Sequence, residues 1–273
     1  MKKKLTKTIV YSILILYAVI TFIPFLWAIL SSFKPLSEIV AADITFFPEN
    51  FTFNNYLEVF SREPLFLRWM FNSIFITTCM VLLNIFFNSM AGYALARIRF
   101  AGRKFWFFLV LLVLMIPFQV TLIPSYLILK ELGWLNTYQG LIVPGMVNAT
   151  FIFMMRQFFI NFPKELEEAA QMDGLSRFGT FFRIVMPLAK PALAAQAVFI
   201  FMASWNDFMR PLIIMSEEEM FTLTLGLNSF KGQYISFWNL IMAASALMTL
   251  PSLLIYAFFN RYFIKGVTFT GGK

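Results

Sequence analysis

The chain has 273 residues, 60% of them hydrophobic and 19% aromatic, with 36 Phe, 13% charged residues and a net charge of +8. Soluble domains run about 45–50% apolar and about 25% charged, so a chain of this length cannot hide the surplus from water, and a bilayer must supply the missing solvent. With no His and one cysteine, Cys79, the sequence excludes a His-dependent triad, an internal disulfide and a Cys-cluster metal site. It has no GxxxxGK[ST] loop or GxGxxG turn on which to hold a nucleotide.

Uncharged stretches cover 8–33, 69–96, 105–129, 132–155, 191–206 and 232–260. A spanning helix needs about 20 mostly apolar residues, and all but the fifth stretch supply them. They predict an all-α integral membrane protein forming a single transmembrane domain over 1–273. Its six transmembrane helices fall at about 9–30, 70–95, 105–129, 138–160, 191–213 and 236–260. The first follows Lys2, Lys3, Lys4 and Lys7. Its length exceeds a signal-peptide core and no small-x-small cleavage site follows, so it reads as a retained helix. If that end is cytoplasmic, sixteen of the 22 Lys and Arg fall inside, Arg261, Lys265 and Lys273 among them, while ten of the 14 acids fall outside. That bias predicts both termini in the cytoplasm.

An outer segment of about 34–68 carries Pro35, Pro48, Pro64 and an Asn-aromatic cluster from Asn50 to Tyr56. In the second span Thr77, Val81, Asn84, Asn88 and Gly92 share one face, opposite Ile, Leu and Phe. Such a face is not made for lipid. Either small and amide residues join helices there, or the amides line a translocation path and meet a solute's hydroxyls. Both readings extend to Asn72 in the same span, Gln119 in the third, Asn148 in the fourth, Gln196 in the fifth and Asn239 in the sixth.

The inner segment, about 161–190, reads PKELEEAAQMDGLSRFGTFFRIVMPLAKP from Pro163. Pro163 suits a helix start, and Glu165, Glu167 and Glu168 favour the positive end of its dipole. A helix over about 164–173 is predicted, with Leu166, Ala169 and Ala170 as its small apolar face and Gly174 as a left-handed cap. Ser176 caps a second short helix with Phe178, Phe181, Phe182 and Val185 on one stripe. Glu168-Ala169-Ala170, three residues, Gly174, nine residues, Ile184, one residue and Met186-Pro187 closely resembles the EAA motif of importer permeases in the ATP-binding-cassette superfamily, Met186 standing for the usual Leu. Flanking stretches are similar to the carbohydrate-uptake branch: SFKP at Ser32–Pro35, LIPSYL at Leu122–Leu127, LGWLNTYQGLIVP at Leu132–Pro144, MRQFF at Met155–Phe159, WNDFMRPL at Trp205–Leu212 and RYFIKGVT at Arg261–Thr268.

The resemblance implies a type I ABC importer permease fold of the maltose-transporter kind in the cytoplasmic membrane. It implies a second homologous permease, two cassette ATPase subunits and an extracytoplasmic solute-binding protein as partners, besides lipid, and no nucleic acid. Glu168, Ala169, Ala170, Gly174, Ile184 and Pro187 would be the coupling residues seated on an ATPase. ATP and magnesium would sit on that subunit, with no cofactor on this chain, which is a transporter part and not an enzyme. The solute would be a sugar, or a related polyol or glycerophosphate compound.

In the fifth span the uncharged run must continue through Asn206, Asp207 and Arg210 into Pro211–Met215. Either Asp207 lies within the bilayer, where a carboxylate costs about 2.5–3.5 kcal/mol, or it pairs with Arg210 at the outer interface and caps a helix beside Pro211. In both cases the pair faces the path or the partner permease. An ion-coupled secondary carrier would share this composition, but it needs an ionisable relay for which only Asp207 is available.

Overall fold

The computed structural model describes residues 2–43, 45–231 and 236–268; Lys273, counted among the inner basic residues, lies outside them. Among the described residues the chain is mostly helical and forms no strand. α1 (Lys2–Ser31) is followed by two short helices, α2 (Leu36–Ile39) and α3 (Asn54–Arg62), and by α4 (Phe66–Arg97). Then come α5 (Arg103–Leu114), α6 (Phe118–Glu131), α7 (Tyr138–Ile142) and α8 (Ala149–Ile160). The inner segment holds α9 (Lys164–Met172), α10 (Arg177–Thr180), a π-helical turn (Phe181–Val185) and α11 (Met186–Leu188). α12 (Lys190–Trp205), α13 (Met209–Ile214), α14 (Leu223–Gly226) and α15 (Trp238–Thr268) complete the order.

Four segments are long and apolar enough to cross a membrane as they stand: Thr6–Ser31, Phe66–Arg97, Tyr138–Ile160 and Trp238–Phe259. The stretch 105–129 is not the single helix its composition predicts. α5 and α6 meet at 102° across Met115–Pro117, because Pro117 lacks an N–H and disfavours helical geometry at Ile116. The stretch 191–213 is likewise interrupted: α12 stops at Trp205 and α13 starts at Met209. The fourth is built from α7, a 3₁₀ turn at Val143–Gly145 and α8, whose first turn is capped by the Asn148 side chain accepting from the Thr150 N–H at 2.9 Å.

The chain divides into two compact units, residues 1–67 with 226–250, and residues 68–225 with 251–273. In the first, Asn55 ties the outer segment together: its amide donates to the carbonyls of Ser32 and Lys34, both at 2.8 Å, and its oxygen accepts from Asn239 at 2.8 Å. Glu38 closes the neighbouring turn, accepting from the N–H groups of Glu49 and Asn50 and from the Thr45 hydroxyl. Burial raises the Glu38 pKa, but those donors and the Lys34 ammonium outweigh it and hold the carboxyl below its ordinary range.

The second unit has two apolar cores. One joins Ile76 and Met80 of α4 to Leu129, Leu141, Ile200 and Ile214. The other, at the opposite end of α4, joins Tyr93 to Met155, Phe159, Phe162, Phe181 and Val185. At the second core α4 approaches α8 closely: a Cβ on Gly92 would lie 2.8 Å from Met155 Cβ and 2.9 Å from the Arg156 nitrogen. Only glycine permits that approach.

Candidate functional site

The inner segment is held to α4 by a buried ion pair. Arg97, in the last turn of α4, places Nε 2.7 Å from Glu167 Oε1 and donates through Nη2 to the Phe162 carbonyl. The Tyr93 hydroxyl donates to Glu167 Oε2 at 3.1 Å. Both partners of the pair are largely withdrawn from solvent, at 8% and 12% exposure, and every oxygen of the carboxylate has a donor. Such a pair fixes geometry more than it adds net stability.

This arrangement corrects the expected face of α9. Glu167 and Ala170 are buried, whereas Leu166 and Ala169 are exposed. The inward stripe carries a carboxylate because Arg97 and Tyr93 solvate it, which rotates the predicted apolar face partly outward. Glu168 is exposed, Met172 is 90% exposed, and with Leu166 and Ala169 they leave one flank of α9 uncovered. Gly174 follows with φ +82° and open space where a Cβ would stand. Its N–H and that of Leu175 close on the carbonyls of Gln171 and Ala170, the left-handed cap that the sequence predicts.

Ser176 caps the next turn, accepting from the Gly179 N–H at 3.1 Å. On the aromatic stripe Phe181 and Val185 are buried, while Phe178 and Phe182 stay exposed. The π turn over Phe181–Val185 shifts the register, which splits the stripe. Ile184 is half-buried and Pro187 exposed.

A second feature is a cleft of about 100 Å³ whose polar walls are Asn84, Asn148, Ser204, Asp207, Arg210 and Thr222. Asn84 donates to the carbonyls of Met80 and Gly145 and accepts from Asn88, whose own oxygen takes the Asn148 N–H at 3.0 Å. Gln196 donates to the Asn84 carbonyl, and its Oε1 is buried without a donor. Asn84, Asn88, Asn148 and Gln196 thus form one network joining α4, α12 and the turn before α8. Asp207 Oδ2 lies 3.7 Å from Arg210 Nε, and its Oδ1 accepts the Arg210 N–H at 3.2 Å, so the pair closes the break before α13.

Three residues expected at the path or at the partner permease do not line this cleft. Gln119 is exposed on α6, Asn206 is exposed and donates to the Met202 carbonyl, and Asn239 belongs to the first unit on Asn55. Asn72 is a structural latch, donating to the carbonyls of Glu219 and Phe221 and accepting from Tyr138 at 2.6 Å.

The family described as "Binding-protein-dependent transport system inner membrane component" matches residues 88–269. The arabinooligosaccharides transport system permease protein AraQ of Halalkalibacterium halodurans is 38% identical over the whole of both chains. The lactose transport system permease protein LacG of Rhizobium radiobacter is 31% identical, covering 98% of this chain and 97% of its own. Among solved structures, a chain of a bacterial ABC transporter involved in import of the acidic polysaccharide alginate aligns with TM-score 0.86 over 96% of this chain and 98% of that one. At 23% identity that likeness is one of fold.

Proposed function

The chain belongs to the family of binding-protein-dependent transport system inner membrane components, and from that premise we propose that it imports sugars or related polyol or glycerophosphate solutes, driven by ATP hydrolysed on a separate subunit. The full-length similarity to permeases named for arabinooligosaccharides and lactose carries this reading. ATPase and solute-binding partners follow from the family. A second homologous permease, two ATPase copies, and ATP-Mg held by them alone complete the assembly we propose.

In this reading six spans cross the membrane, two of them broken, as one transmembrane domain with both termini and the 161–190 segment in the cytoplasm. The exposed flank of α9, with Glu168, Ala169 and Met172, meets the ATPase, and Arg97–Glu167 passes its displacement to α4. Ala170, Gly174, Ile184 and Pro187 shape that coupling segment. Asn84, Asn148 and Asp207 border the solute's way, while Asn88 and Gln196 hold Asn84 in place; Gln119, Asn206 and Asn239 face the path or the partner permease from other sites. Reporter fusions after Ala101 and Phe162 should give a cytoplasmic signal, and those after Asn54 and Gly133 an external one.

Uptake of labelled arabino-oligosaccharide by membranes carrying the complete assembly tests the proposal. Gly174→Val forces a β-branched residue to positive φ, and Glu168→Lys reverses a charge on the exposed flank. Each should abolish most uptake while membrane levels stay normal. Wild-type uptake with the ATPase fully retained in both variants would remove the coupling role from this segment.

A further inference from the structure

Five cations stand on neighbouring elements: Arg97 and Arg99 at and just past the end of α4, Arg103 and Lys104 at the start of α5, and Arg156 on α8, over the Phe107 ring of α5. Glu167 is committed to Arg97. Among the described residues the other four have no carboxylate partner. Arg103 and Lys104 occupy the first turn of a twelve-residue helix that has no acid there, where the dipole opposes cations. Arg103 and Arg156 are near enough to repel each other.

Arg156 is held in place by an aromatic ring. Its guanidinium carbon sits 3.6 Å above the Phe107 ring, which stacks on Phe153. The buried Nε has no acceptor. Stacking fixes the plane of the fork at little further entropic cost, the condition under which Arg recognises phosphate. One turn before Phe107, Arg103 spends one N–H on the Ile98 carbonyl at 3.3 Å and keeps its charge uncompensated. Beside this cluster the outer surface of α5 is apolar: Phe105, Trp106 and Phe108 are each more than half exposed. The Trp106 indole rests against Gly102, 3.7 Å from the position of a Cβ there, the placement of an aromatic residue at a membrane interface.

We propose that Arg103, Lys104 and Arg156 bind the phosphodiester headgroup of an anionic phospholipid, whose acyl chains lie along the aromatic face of α5. The cations supply charge and a bidentate donor, and the exposed rings supply a surface that a soluble anion or an acidic protein segment would not cover. The leaflet is the one on the side of the inner segment, and only its assignment as cytoplasmic rests on the reading of function given above.

The assembled complex, extracted in mild detergent and equilibrated with equal phosphatidylglycerol and phosphatidylethanolamine, would be examined by native mass spectrometry. Wild type should retain phosphatidylglycerol selectively. Arg103→Gln with Lys104→Gln, both at the helix start and outside the packed core, should lower retention about fivefold for each charge removed. Arg156→Lys, which keeps the charge but loses the fork, should lower it less, while Arg62→Gln in the outer segment should change nothing. Equal retention of the two lipids, or no loss in the Arg103/Lys104 variant, overturns the proposal. Displacement of the lipid by inorganic phosphate would make this a free-anion site, and loss of the ATPase with lipid retained would make it a protein contact; either also overturns it. Retention is read without transport, so a failed uptake assay leaves this result standing.

Discussion

α1 and α4 are of nearly equal length, 30 and 32 residues, and both are strongly apolar, yet the structure treats them in opposite ways. Every residue of α1 from Thr6 to Phe25 is exposed. On α4 the polar residues Asn72, Ser73, Thr77, Asn84, Asn88 and Ser89 are buried alongside Trp69, Ile76, Met80 and Tyr93, while Leu67, Phe71 and Leu82 are more than half exposed. In water this would be inside out. In lipid, Leu gains nothing by leaving the solvent, whereas an amide or hydroxyl must find a partner within the protein. The buried polar residues of a span therefore report where helices pack within the chain, and a stretch whose few hydroxyls are all exposed, as from Thr6 to Phe25, has no such packing among the described residues.

The contrast is broken most severely at the foot of α4. Glu167→Ala leaves Arg97 as a buried charge without a counterion, which costs about 3–5 kcal/mol; denaturant titration of the purified chain in micelles should show a loss of that size. A change below about 1 kcal/mol would mean that the pair is open to water. A smaller effect is expected in mid-helix. Asn84→Leu deprives the Gly145 carbonyl and the Asn88 amide of a partner, worth about 0.6–1.7 kcal/mol in a bilayer protein. The same titration should find it, and a stabilised variant would show that the network is not formed. The smallest effect belongs to α1, where the Thr21 hydroxyl donates to the Tyr17 carbonyl of its own helix at 2.8 Å. Thr21→Val should alter the midpoint by less than about 0.5 kcal/mol; a large loss would place a protein partner on α1 where the contrast puts lipid.

Much of this is legible in the sequence. Charge spacing locates the four long helices, because a span tolerates few ionised groups whatever its neighbours. Gly174 and Ser176 announce their caps, because capping is decided within a few residues. The Thr77-to-Gly92 face of α4 is visible as a period. What composition conceals is where a helix stops: Pro117 sits inside an apolar run that reads as continuous, whereas the end of the fifth stretch at Asn206 already allows a capped break there. The Arg97–Glu167 pair joins positions 70 residues apart, and no local rule separates Glu167 from Glu165 or Glu168. Nor could spacing sort the amides. Asn239 and Asn84 look alike in sequence, but one braces an outer segment and the other borders a cleft.

The contact at Gly92 gives α4 a mechanical property as well as a packing one. Backbone against backbone, with no flexible side chain between, is a stiff bearing. Arg97 lies about 7.5 Å beyond it and Asn72 about 30 Å before it, at about 1.5 Å per residue. A rigid rod rocking on that bearing would turn each ångström of travel at the ion pair into about four at the far end. In such a rocking motion a sub-ångström movement of α9 would be magnified before it reached the latch that holds Glu219 and Phe221, in a ratio set by where a single glycine falls along the helix.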